Sequence, residues 1–203
     1  MSQTKIIKKN YKEELFMGML DKIKKEIKRS SSGMSDIFYL GDGDKEKVRF
    51  LTEVEDFVEV KWHDSYEDSI DAPCLKYFGA DCPHCNSDNE NLRTRNMYCA
   101  TIYNYDEGGR QILKYAANRF SPIPALISMY ETYGSILTRD FVISRTGTSF
   151  DIDYSVVPMD KSELKESAEE FTKKEMFEKF KIIHNIDIEM EDMENDEEFE
   201  MPF

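Results

Sequence analysis

Val58-Glu59-Val60-Lys61-Trp62-His63 runs through an acid-rich stretch to Cys74 and then to Cys82-Pro83-His84-Cys85. In the first part Val58, Val60 and Trp62 alternate with Glu59 and Lys61, the period of a strand with one buried face. The second part loses that period and gains metal-ligand residue types. Zinc is usually held by four tetrahedral N/S ligands, and a Cys-x2-Cys turn lets two sulfurs converge on one ion. Cys82 and Cys85 supply that turn, and Cys74 is a third thiol in a chain with four cysteines. The pattern predicts one structural zinc ion per chain, with a redox pair or unliganded thiols as the competing reading of a short cysteine spacing. His63 is the preferred fourth ligand. His84 sits inside the turn, where its ring should point away from an ion gripped by its neighbours. Cys99 lies in the apolar run Met97 to Ile102 and reads as a buried strand cysteine.

Working outward, strands are expected over Lys45 to Leu51, Phe57 to Trp62, Met97 to Tyr105, Gln111 to Ala117, Asp140 to Thr146 and Phe150 to Val157. Asp106-Glu107-Gly108-Gly109 reads as a hairpin turn, and Ser121 as the cap of a helix from Pro122 to about Tyr133. Short strands with one intervening helix predict a mainly β fold built as a small, partly open barrel, with the metal loop occupying about residues 63–92. Asp160 and Glu163 offer a capping box for a further helix reaching about Ile183. The expected organisation is a basic helical arm (1–33), a β domain (34–160), a helix (161–186) and an acidic tail (187–203).

The net charge of −14 is unevenly spread. Residues 1–33 carry nine Lys/Arg against four Asp/Glu, whereas residues 161–203 carry six against 15. In the arm, Phe16, Leu20, Ile23 and Ile27 form one helical stripe among lysines, ending at Ser30-Ser31-Ser32-Gly33. The segment 187–203 has nine acids and no cation, so self-repulsion predicts disorder, yet it ends in Met201-Pro202-Phe203. Overall acidity does not exclude a nucleic-acid partner, because binding depends on a local positive groove. No apolar run approaches the ~18 residues needed to span a bilayer, and the reading is a cytoplasmic protein with reduced thiols. Gly-rich phosphate loops, paired helix histidines and nucleophile motifs are absent from the sequence, so no enzymatic activity is expected.

The ordered series Val48-Arg49-Phe50-Leu51, His63, Cys74, Cys82-Pro83-His84-Cys85, Arg93 to Tyr98, Lys114-Tyr115 and Phe141-Val142-Ile143 resembles the helix-destabilising single-stranded DNA-binding proteins of T-even bacteriophages. The resemblance covers about residues 45–157. It implies a five-stranded OB-type barrel with an inserted zinc loop, flanked here by N-terminal and C-terminal helices. It also implies His63, Cys74, Cys82 and Cys85 as ligands, and non-specific coating of single-stranded DNA in phage replication, recombination and repair within the host cytoplasm. The loop spacings are shorter here, and the C-terminal region is much reduced. The terminus Glu197-Glu198-Phe199-Glu200-Met201-Pro202-Phe203 is similar to the tail tip of bacterial single-stranded DNA-binding proteins, which implies docking onto replication and recombination proteins. Lys28-Arg29-Ser30-Ser31-Ser32 resembles the basic, hydroxyl-rich segment through which such phage proteins contact neighbours, implying self-association on DNA.

A sequence-tolerant binder of single strands needs cations along a phosphate rail and aromatic rings beside it. Arg93, Arg95, Arg110, Lys114 and Arg119 interleave with Tyr98, Tyr103, Tyr105 and Tyr115, and Arg145 follows on a later strand. The resemblance places Arg93 with Tyr98, and Lys114 with Tyr115, as groove pairs. Strand alternation puts Tyr98 on the opposite face from Tyr103 and Tyr105. Two other classes fit the same residues: a zinc-containing transcription or replication adaptor, and an acidic DNA mimic.

Overall fold

The computed structural model describes residues 36–148, 151–164, 168–184 and 186. The predicted arm, residues 1–33, and the acidic tail with Met201, Pro202 and Phe203 lie outside the described residues. The described strands are β1 (Ile37–Phe38), β2 (Lys45–Phe50), β3 (Val58–Ser65), β4 (Ile70–Pro73), β5 (Arg93–Asn104), β6 (Gly109–Ala116), β7 (Arg139–Thr146) and β8 (Asp153–Lys161). The helices are α1 (Ile123–Tyr133) and α2 (Lys173–Ile183).

All eight strands join one sheet in the order β1-β6-β5-β2-β7-β8, with β3 beside β5 and β4 beside β3. The β1–β6 pair is parallel and the others antiparallel, so the sheet is mixed. β5 is the longest strand and serves three partners: β6 along one edge and, along the other, β3 with its first half and β2 with its last residues. The hydrogen-bonded order does not close on itself. Side chains nevertheless bring its ends together, since Tyr115 of β6 packs edge-on against Tyr154 of β8 at 5.2 Å.

Alternation along β5 and β6 separates two apolar clusters. Ala100, Ile102 and Leu113 point inward with Val48, Phe50, Phe141 and Ile143, where Ile123 and Leu126 of α1 complete the inner core. Cys99 and Ile112 point outward with Val60 and Trp62, beneath Met176, Phe177 and Phe180 of α2. Each fully buried Phe contributes roughly 1.5–3 kcal/mol, so α2 is fastened by its apolar stripe.

The sheet differs from the five-stranded expectation because β1 and β4 are too short to show a period, and β3 branches from β5. The predicted Asp160–Glu163 box does not start a helix. β8 continues to Lys161 because its backbone stays paired with β7 as far as Arg139. The box forms later: Glu175 N donates to Thr172 Oγ1 at 3.2 Å, and Thr172 N donates to Glu175 Oε2 at 2.7 Å. α1 begins within a residue of the expected start, with Ile123 N donating to Ser121 Oγ at 3.3 Å.

Candidate metal centre and nucleic-acid interface

On β3 the even residues Val60 and Trp62 face α2, which directs His63 to the opposite side, where it is 1% exposed. The chain then turns through β4 into Cys74 and the 3-10 turn Leu75–Phe78. Gly79 follows with φ of 76°, a left-handed conformation that a side chain would strain. Its N–H and that of Ala80 close back onto Lys76 and Leu75, reversing the chain toward Cys82. Cys85 N donates to Cys82 O at 3.1 Å, and this tight turn aims both sulfurs the same way.

The four donor atoms of His63, Cys74, Cys82 and Cys85 lie within 4.8 Å of one another. His63 Nε2 is 3.5 Å from both Cys82 Sγ and Cys85 Sγ, and Cys74 Sγ is 3.4 Å from Cys85 Sγ. A tetrahedral ion with Zn–S near 2.3 Å and Zn–N near 2.0 Å has ligand–ligand edges of about 3.5–3.8 Å. The cluster therefore has the size of a metal shell and is compatible with zinc. Thr94 Oγ1 lies 3.2 Å from His63 Nδ1. When Nδ1 carries the proton and donates to that hydroxyl, Nε2 keeps its lone pair for an ion.

Burial pushes the Cys74 thiol up to about 12, while burial also lowers His63. Burial raises Cys82 too, but the backbone N–H groups of Leu75, Cys85 and His84 outweigh it and hold this thiol below its ordinary value. Three crowded sulfurs lose their protons together at high electrostatic cost unless a cation joins them, which ties metal loading to loop folding. With three sulfurs and one nitrogen, the donor set leaves no open position for substrate. His84 is outside the donor set, its ring 5.5 Å from that of His63. Cys99 is fully buried in the outer cluster, its thiol raised to about 12 by burial.

The predicted DNA contacts do not form one groove. Arg110 lies over the Phe171 ring and donates to Glu169 O, and Lys114 Nζ lies 3.7 Å over the Trp62 ring beneath α2. Tyr103 pairs with Arg110 in register on this outer face and meets Tyr105 edge-on. Tyr105 is tied down, donating its hydroxyl to Asp140 Oδ1 at 3.0 Å. Arg95 forms a two-pronged pair with Asp64. Arg93 is exposed at the start of β5, in a depression also lined by Asp64, Glu67 and Glu90. Arg119 covers Phe120 in the loop before α1.

Tyr98 and Tyr115 face inward, opposite each other in the β5–β6 ladder. There Tyr115 meets Tyr154, while Arg145 donates to Tyr39 Oη at 3.2 Å and Leu40 O at 2.7 Å. Sequence reasoning missed Thr94, Tyr39 and Tyr154. The Phe38-Tyr39-Leu40 alternation could have exposed Tyr39; Thr94 becomes visible only once the β3–β5 register sets it opposite His63.

No protein-family profile, curated protein or solved structure matches the chain. Among the described residues, no helix is long and apolar enough to cross a membrane.

Proposed function

We propose that this chain is a non-enzymatic, zinc-stabilised protein that coats single-stranded DNA, built on an OB-type barrel. The observation that carries this reading is the closed set His63, Cys74, Cys82 and Cys85, inserted between two strands of a sheet whose inner core draws on both ends of its strand order. The zinc holds the loop; the barrel, with Tyr98, Tyr115 and the accessible cations, meets DNA. In the same reading the protein acts in phage replication, recombination and repair in the host cytoplasm. Residues 1–33 support contacts between neighbours, and Met201, Pro202 and Phe203 dock replication or recombination proteins.

The test is metal analysis of purified protein together with mobility-shift titration of oligo-dT and duplex across a salt series. The expected result is about one zinc per chain and preference for the single strand, with log affinity falling by about 0.7 per phosphate contact per log unit of salt. Equal affinity for duplex would overturn the coating role. A second reading, the zinc adaptor, is favoured by Tyr66, which is fully exposed on the β3–β4 turn. Retained zinc without DNA binding would select it.

A further inference from the structure

We infer that unpaired bases and their phosphates are bound at the seam where the two ends of the sheet meet, on Tyr39, Tyr98, Tyr115, Tyr154 and Arg145. This rests on the single-stranded DNA reading and narrows its contact surface to one seam of the sheet.

The seam is continuous across elements distant in sequence. Tyr98 faces Tyr115 across one ladder, and the Tyr115 ring meets the Tyr154 ring at 5.2 Å. Tyr154 is opposite Arg145 across the next ladder, and Arg145 reaches Tyr39. Tyr98, Tyr115 and Tyr154 pack against the inner core without being fully enclosed by it. Tyr39 is 70% exposed, between buried Phe38 and Leu40, so its ring is presented to solvent on an anchored backbone. Partly exposed rings fixed by packing suit base stacking, because little freedom remains to be lost on binding.

This surface joins several clustered rings to a cation, Arg145, that forms no ion pair among the described residues. Arg49 and Lys47 share the single carboxylate of Asp140, while Arg95 pairs with Asp64 and Lys179 with Asp36. Lys114 is 12% exposed and spends its charge on Trp62 and Asp71. Arg145 instead donates to a phenol and a carbonyl, and its Nε is buried without an acceptor. The nearby carboxylates of Asp42 and Asp44 accept from the backbone N–H groups of Gly147 and Gly41. The guanidinium thus forms no ion pair among the described residues and is available to an anion, beside rings that take a base. This is the pairing of one cation with several π faces that a nucleotide strand requires.

The experiment uses the full chain and a short oligo-dT carrying 5-iododeoxyuridine, in two arms. In mobility-shift titration, Tyr39→Ala is expected to weaken binding roughly 5- to 150-fold, the range of one lost stacking contact, with little change in salt slope. Arg145→Gln should weaken binding and flatten the slope by about 0.7. Circular dichroism checks that both variants fold, and the unaltered chain carries the second arm. Photocrosslinking is expected to mark Tyr39 or Tyr154. Crosslinks confined to Tyr103 or Tyr105, with wild-type affinity in Tyr39→Ala, would overturn the seam and keep the coating role. An unaltered chain that fails to bind the oligonucleotide overturns both.

Discussion

The inner core and the loop that carries the four clustered donors differ in how much apolar surface they bury. Inside the sheet, Phe50, Ile102, Leu113, Phe141 and Ile143 are at most 1% exposed and order themselves by leaving water. From Asp81 to Asn91 the loop is largely exposed, with Cys82 as its buried residue. Its apolar link to the body is Phe78 and Tyr77 against Phe177, at 5.5 and 6.1 Å. A metal ion held by the four clustered donors would order a short segment where apolar burial is too scarce to do so.

The strongest way to break this contrast is to remove the ligands. Cys82→Ser, or a strong chelator, should abolish ordering of residues 74–91. A structural zinc contributes on the order of 10 kcal/mol to a small domain. Hydrogen exchange should show that loop losing protection while Val48, Phe141 and Ile143 keep theirs. Simultaneous loss in both places would mean that loop and core fold as one cooperative unit.

A second test strikes the core's polar edge. Asp140 accepts from Arg49 Nε at 2.7 Å and pairs with Lys47 Nζ at 2.6 Å, with Arg49 only 3% exposed. Asp140→Ala leaves that guanidinium buried and should cost about 3–5 kcal/mol in denaturant unfolding, with metal content unchanged. Burial raises the Asp140 pKa, but hydrogen bonds from Lys47, Arg49 and Tyr105 outweigh it and hold the carboxyl below its ordinary value. A carboxylate lowered on folding stabilises fully above its unfolded pKa and loses that contribution as pH falls through the folded one. The stability difference between wild type and Asp140→Asn should therefore shrink below about pH 3.8.

The smallest effect is expected at α2. Thr172→Ala removes the hydroxyl that caps Glu175 N and should cost about 1 kcal/mol. Calorimetry should detect it as a modest drop in Tm.

The metal set was legible in sequence because ligand chemistry is carried by residue type and short spacing, with Cys82 and Cys85 closing a turn that needs no distant information. Most strands were legible for a similar reason: alternation such as Val60-Lys61-Trp62 survives without tertiary context. The helix start was not, because Asp160-x2-Glu163 and Thr172-x2-Glu175 satisfy the same local rule. Pairing of β8 with β7 decides between them, and that contact is long-range. The distribution of cations was hidden in the same way. Lys114 and Arg145 look alike in sequence, yet the fold places one beneath a helix on Trp62 and the other beside a solvent-facing tyrosine.

The single tryptophan has an optical consequence. Trp62 is 1% exposed, adjoins His63 in the chain, lies beneath Lys114, and meets Phe180 and His184 of the C-terminal helix region edge-on at 5.4 and 5.2 Å. Its emission is thus an internal gauge of three junctions at once: the first ligand strand, the β6 ammonium and the docked helix. A nucleobase cannot stack directly on so enclosed an indole. Any change in its emission when a strand binds must be relayed through the protein, and would report altered packing at those junctions.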